Sequence, residues 1–396
     1  VSTESVDPVD GEPAPSTPDD GVLTVGALLA LSGPGAPFGT AARTAVELAV
    51  NEINANGGVG GRPVRLVIRD EGADGDTASR AVDELLRVGT DVVVGPMSSL
   101  VTPIVLPALV EGGVVACSPT ATAASLDSFP DDGLFVRTVA SDSLQAVALA
   151  RVVERTGIGS ASIVHLDDPY GRPMASIVTA ELESRGITVP AVVSVDANDD
   201  SYDDEVAGRL AGSGAVVVIG DEGTGLRMVD AVLEGAGPDL QVVVNDAVRP
   251  ALTSRAAVQL GSEDLARLSG VSPRLTLPLG PFRDTYLARA PSATGLSAAN
   301  AYDCVTMLAL AAAVSGSVAG SDVVDRLVEI TTSGTRCGSF VACESARAAG
   351  RNIDYDGPSG ELQLGPAGDP SRASFDVFGF DASGRDVVVD AVVVSE

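Results

Sequence analysis

Lysine and tryptophan are absent from the 396 residues, histidine occurs once, cysteine four times, and aromatic side chains make up only 3% of the chain. Each scarcity excludes something. Without lysine there is no G-x-x-x-x-G-K-[ST] nucleotide loop. The lone His165 ends an apolar run, and no G-x-S-x-G elbow accompanies it, so nucleophile, base and orienter are not found together. No catalytic residue is assigned, and His165 reads as structural. A metal site needs more Cys, His or acidic ligands in register than these residues offer, and no metal or cofactor is expected. No run reads as long and apolar enough to span a membrane, and no signal peptide is seen. With so few aromatics, the cores must be built from Val, Leu, Ala and Ile, which supply most of the 45% hydrophobic content.

What the chain has in excess is acid: 54 Asp and Glu against 25 basic residues, a formal net charge of -29. Such a surface disfavours nucleic acid and anionic lipid as partners, although solubility explains most of it. The length exceeds one usual core and predicts two lobes. Residues 1–21 are rich in Pro, Ser, Thr and Asp without periodicity, and are expected to form a disordered tether. A removed export signal, or a lipid on a preceding cysteine, would fit such a tether. Cys337 and Cys343, close together in TRCGSFVACES, are expected to form a disulfide in an oxidising compartment. Cys117 and Cys304 sit in apolar strand and helix patterns and are expected to stay reduced, as small buried hydrophobes.

The stretch 91–122 organises the rest. It reads DVVVGPMSSL, then a helical run, then GVVACSPTAT. Apolar β-branched runs without alternation suit parallel strands covered by helices on both faces. The residues just past such strands lie where open α/β sheets bind ligands. Ser98, Ser99, Thr120 and Thr122, with Met97 and Ala121 in the same loops, therefore face one crevice. Hydroxyls and helix-start amides suit an anion, and a carboxylate is expected there.

The flanking sequence alternates β and α. Strand 23–31, helix 40–54, the strand VRLVIRD, helix 76–88 and the strand at Val92 predict a parallel sheet with right-handed crossovers. A second alternation runs through helix 143–155, strand 161–166, helix 174–185, strand 191–195, a helix near 203–211, strand 215–219, helix 225–234 and strand 241–244. Beyond Gly270 helices dominate, and the end alternates like antiparallel hairpins. GPGAPFG at 33–39 imitates a dinucleotide loop. Its spacing is G-x-G-x-x-x-G, however, and Pro34 and Pro37 remove amides that a phosphate needs. It reads instead as a rigid turn presenting Phe38. Asp168 and Tyr170 follow a second-lobe strand, where the Asp-Pro pair equally suits an ordinary turn. Glu222 and Asp246 follow two more. Hydroxyls on one side and carboxylates on the other would hold a zwitterion by both ends.

The motifs SGPGAPFG, NEINANGGVGGRPVRLVIRDEGAD, VVVGPMSS, SPTATA, RTVASD and DDPYG, in that order, resemble the periplasmic leucine/isoleucine/valine-binding proteins, the type I solute-binding proteins of ABC transporters. The likeness spans essentially 22–390. It implies α-carboxylate contacts at Ser99 and Thr122 with Thr120 nearby, an acidic partner for the α-amino group at Asp246, and aromatic walls at Phe38 and Tyr170. A position that is aromatic in leucine binders falls on Glu222, which opens the ligand to polar or cationic side chains.

The implied fold is α/β: two doubly wound lobes, residues 22–137 plus 272–353 and residues 138–271 plus 354–396, joined by a three-crossing hinge near Arg137, Val271 and Ile353. The implied function is that of a non-enzymatic, exported, monomeric binding protein. It closes on an amino acid or small carboxylate and delivers it to a membrane permease. Two alternatives stay open: a ligand sensor of the same fold, and a Rossmann-type oxidoreductase with Asp70 serving a ribose.

Overall fold

The computed structural model describes residues 20–395 apart from 200, 203–205, 207, 222, 236, 275–276, 292–294 and 382. Residues 1–19 of the expected tether, Glu222, and residues 203–205 and 207 of the helix expected near 203–211 thus lie outside the described residues, whereas Asp20 pairs with Arg65 at 2.9 Å.

Two sheets organise the chain. The first contains β1 (Thr24–Leu29), β2 (Arg65–Asp70), β3 (Val92–Val94), β4 (Val115–Ser118) and β5 (Phe135–Arg137), all parallel in the order β2-β1-β3-β4-β5. Helices cover both faces, which is why β1, β3 and β4 are buried at every residue. Alternate side chains enter different cores. Val25, Ala27 and Leu29 pack with the Ala36–Ala55 and Ala298–Ser315 helices, whereas Leu28 and Val93 pack with Gly75–Arg87 and Thr102–Glu111.

The second sheet has seven strands: β6 (Ala161–Leu166), β7 (Val192–Val195), β8 (Ala215–Ile219), β9 (Gln241–Val244) and β10 (Leu268–Pro273) are parallel, and the antiparallel hairpin β13 (Arg372–Phe380) and β14 (Asp386–Ser395) extends it beside β10. Between them in sequence, β11 (Thr335–Cys337) and β12 (Ile353–Tyr355) form a separate parallel pair whose Ile353 and Tyr355 pack into the first-lobe core. The chain therefore passes from one sheet to the other after β5, returns after β10, and crosses again between β12 and β13. The result is two α/β lobes joined by three crossing segments.

Three readings change. The helix expected from Thr40 opens at Ala36, with Pro37 in its first turn, where a missing N–H is harmless. Gly39 is required there, because a Cβ would stand 1.9 Å from the carbonyl oxygen of Ala30. The Ala298–Ser315 helix is, against expectation, long and apolar enough to cross a membrane by length and composition; here it is the buried central helix of the first lobe. Finally, Cys117 and Cys304 are not free thiols. They form a disulfide across 187 residues, joining β4 to that helix. Each was read correctly as buried, but packing the helix against β4 brings the two sulfurs together. The expected Cys337–Cys343 disulfide is present and ties β11 to the Phe340–Ala348 helix.

Candidate cleft between the lobes

The first-lobe side of the site consists of two loops locked against each other. Just past β3 stands Gly95, whose φ of +105° and the 2.1 Å at which a Cβ would meet the Leu28 carbonyl oxygen admit only glycine. In the following loop the buried Glu71 carboxylate accepts hydrogen bonds from the amides of Met97 (2.5 Å) and Ser98 (2.9 Å). Burial pushes Glu71 up to about 7, against the pull of those two bonds. The Ser118 hydroxyl donates to the Pro96 carbonyl (2.6 Å) and accepts from the Ala121 amide (2.9 Å), while Thr120 Oγ1 donates to the Met97 carbonyl (2.7 Å). The loop after β3 and the loop after β4 are thereby one unit.

That stitching decides which donors remain. Met97, Ser98 and Ala121 have spent their amides inside the loops. Ser99 Oγ instead accepts from the amides of Thr122 (3.1 Å) and Ala123 (3.3 Å). The carbonyls of Ala121 and Ala123 face away, toward Nη1 of Arg137 at 3.3 and 3.2 Å. Arg137 is fully buried and its guanidinium also binds Asp369 and Asp127. With carbonyls drawn to a buried cation, the amides of 122 and 123 point to the Ser99 hydroxyl. With both amides spent on Ser99 Oγ, the hydroxyl's own proton is the donor that is left for an oxyanion.

The second-lobe side begins immediately beyond. Ser141 caps the Asp142–Arg155 helix, accepting from the Ser143 amide. The Ser141 and Ser143 hydroxyls donate to Asp127 at 2.6 and 2.5 Å, which ties this helix start to the Arg137 cluster. The Asp142 amide donates to the Thr122 carbonyl at 2.8 Å. The Asp142 side chain is 2% exposed, and its Oδ2 has no hydrogen-bond partner among the described residues. Burial, and then the charge of Asp246, push its carboxyl up to about 8. Asp246 follows β9, accepts from Gln145 Nε2 at 2.9 Å, and is itself raised by burial. The Tyr170 hydroxyl accepts from Asn245 Nδ2 at 2.8 Å. Its pKa is raised well above the ordinary value by burial and then by the charges of Asp142 and Asp246.

The structure thus brings Ser99, Thr120 and Thr122 together on one side, Tyr170 and Asp246 on the other, and joins the two through Asp142. Phe38 packs on the first-lobe core, half-buried. Asp168 takes the turn role: its carboxylate accepts from the amides of Tyr170 and Gly171. Sequence reasoning missed Asp142, Gln145 and Glu71. The Ser-Asp pair opening a helix directly after a strand was the available signal for Asp142. Asp70 takes a local turn role, with Oδ1 accepting from the amides of Leu31, Ser32 and Gly72.

A family model described as periplasmic binding protein matches residues 22–375. The chain belongs to the periplasmic binding protein family. It is of the type I class that includes the Leu/Ile/Val-binding proteins, and members of this family bind solutes and are not enzymes. Among its relatives is the chemotactic signal transduction system substrate-binding protein BasB of Halobacterium salinarum, 28% identical over 88% of this chain and 84% of that one. Among solved structures, a branched-chain amino acid transporter substrate-binding protein of Streptococcus pneumoniae in complex with isoleucine superposes with a TM-score of 0.67, at 21% identity over 95% of this chain and 100% of that one. A solute-binding protein of an ABC transporter from R. palustris in complex with 4-hydroxybenzoate gives 0.71, at 16% identity over 95% and 97%.

Proposed function

We propose that this periplasmic binding protein is the extracytoplasmic component of an ABC importer and holds an amino acid between its lobes for delivery to a membrane permease. The observation that carries this reading is the two-ended site. Ser99 Oγ, which accepts from the Thr122 and Ala123 amides, keeps its own O–H as the donor on the first lobe, while Asp142 and Asp246 offer acids from the second. A ligand with a carboxylate and an ammonium satisfies both, and its contacts to both lobes favour the closed state. The first lobe is residues 22–137 plus 272–353 together with Tyr355, Leu362 and Leu364, which pack into its core, the second is residues 138–271 plus the β13–β14 hairpin, and Phe38 stands at the side-chain end of the ligand. The isoleucine bound by the streptococcal neighbour supports an amino acid. The benzoate bound by another neighbour supports a carboxylate anchor as the shared feature. Two disulfides suit an oxidising compartment.

A second reading, ligand sensing for a chemotaxis receptor, is favoured by the halobacterial relative and uses the same cleft with a different membrane partner. A thermal-shift screen over amino acids and their des-amino analogues tests the shared part, since a ligand bound only by the folded state raises stability by mass action. An amino acid should raise Tm and reduce the radius of gyration in solution scattering, and be recovered unchanged. No shift with any amino acid would contradict the reading.

A further inference from the structure

Glu71, just past β2, is fully buried and has no ion pair among the described residues. Its own amide donates to the Leu29 carbonyl at the end of β1, at 2.7 Å. Its two carboxylate oxygens are divided between consecutive amides of one loop, Oε2 accepting from Met97 and Oε1 from Ser98. The charged group that acts on it is its neighbour Asp70, and the loop after β3 brings amides and no charge. A buried carboxylate without a cation is costly, and here two backbone amides offset the cost. Those two bonds also reach the cleft. The Met97 carbonyl accepts from Thr120 Oγ1, and Ser99, the next residue of the loop, accepts from the Thr122 and Ala123 amides. An ionised carboxylate offers an acceptor to each amide, whereas a protonated one carries an O–H that has no acceptor in this pair. The amide bonds pull the Glu71 pKa down against burial, so by linkage a proton on Glu71 weakens them to the same extent.

We propose that Glu71 is the positioning residue of the first-lobe pole and its proton switch: ionised, it holds the loop after β3 so that Ser99 stays on the Thr122 and Ala123 amides, and protonated, it lets the loops after β3 and β4 loosen together. Burial pushes the group up to about 7, so the change falls near neutral pH. The consequence for a ligand rests on the cleft reading above: a carboxylate gripped by the Ser99 hydroxyl would be released as the pH falls. The switch itself does not rest on it.

Amide hydrogen exchange of the whole, ligand-free chain, followed by nuclear magnetic resonance and corrected for the intrinsic pH dependence of exchange, tests it. From pH 8 to pH 6 the protection of Met97 and Ser98 should fall at least ~10-fold, the scale of losing a hydrogen bond to a charged group. Thr122 and Ala123 should fall with them, while Val92–Val94 of β3 stay constant. Glu71→Gln, neutral and of the same shape, should exchange fast at both pH values, with circular dichroism confirming that it is folded. The amide nitrogen shifts of Met97 and Ser98 in the unaltered chain need no variant and should titrate together, with one midpoint near pH 7. Asp142 lies beside Thr122 and is itself pushed up to about 8, so the series is repeated in Asp142→Asn, where the response should persist. Flat protection of Met97 and Ser98, a response kept in Glu71→Gln or lost in Asp142→Asn, or loosening that stops short of Thr122 and Ala123 would overturn the proposal. No ligand enters the experiment, so its failure is distinct from a failure to bind amino acids.

Discussion

The two sides of the cleft are built on opposite principles. On the first lobe the proposed ligand group is a hydroxyl in loops fixed from behind by Glu71, Ser118 and Arg137 and by the Cys117–Cys304 disulfide near the carboxyl end of β4. On the second lobe the proposed groups are side chains at strand and helix ends, and two of their oxygens, Oδ2 of Asp142 and Oε1 of Gln145, have no partner among the described residues. The first side spends its structure on being rigid. The second keeps acceptors in reserve. In the proposed site a rigid hydroxyl pole would recognise what all amino acids and carboxylates share, whereas an acid pole with unspent acceptors would discriminate by what it is offered.

The largest way to break this contrast is to loosen the rigid side. Replacing Cys117 and Cys304 together by Ala frees a loop spanning 187 residues. The loop-entropy model puts that at about 5 kcal/mol, against about 2 kcal/mol for the six-residue Cys337–Cys343 loop. Denaturant unfolding of both double variants should show the larger loss in the first. Next in size is Arg137→Met, which strands Asp127 and Asp369; breaking a buried pair costs about 3–5 kcal/mol. It should also weaken every cleft ligand alike, since the Ala121 and Ala123 carbonyls lose their anchor. A selective loss for amino acids alone would show that Arg137 acts on the acid side instead.

A smaller effect sharpens the acid side. Asp142 has its folded pKa raised from 3.8 to about 8. Between those values the folded state binds more protons than the unfolded, so stability contributed by this group is full below about pH 4 and falls as pH rises toward 8. Asp142→Asn should flatten the fall in ligand-free stability between pH 4 and 8. An unchanged slope would mean that other groups, Glu71 and Asp303 among them, carry it. An ammonium ligand favours the ionised carboxylate, so its binding near pH 7 should release protons. Repeating the calorimetry in buffers of different ionisation enthalpy measures that directly.

Much of this architecture was legible because parallel strands buried on both faces leave continuous β-branched runs, and the hydroxyls after β3 and β4 follow from strand ends. Other features depend on contacts that local spacing does not carry. The Cys117–Cys304 bond needs a helix laid on a strand from the far end of the chain. Glu71 and Arg137 look like surface charges in sequence. They are buried because loops from other strands wrap them and satisfy them. Asp142 was hidden for the converse reason: a Ser-Asp helix start usually means capping, and here Ser141 is the cap, which leaves the aspartate buried with Oδ2 unpaired among the described residues. Asp168 shows the same ambiguity resolved the other way, with its carboxylate consumed by its own turn.

The central claim is that the two poles grip opposite ends of one ligand, and calorimetry on Asp246→Asn with an amino acid and its des-amino analogue tests it most directly. Losing a hydrogen bond to a charged group costs about 1.5–3 kcal/mol, which is roughly 10- to 100-fold in affinity. Asp246→Asn keeps the shape and removes the charge, so the amino acid should weaken within that range while the des-amino analogue changes little. Ser99→Ala, as the companion, should weaken both. Equal losses of the two ligands in Asp246→Asn would contradict the account, because the acid would then be holding the lobe together and not the ammonium.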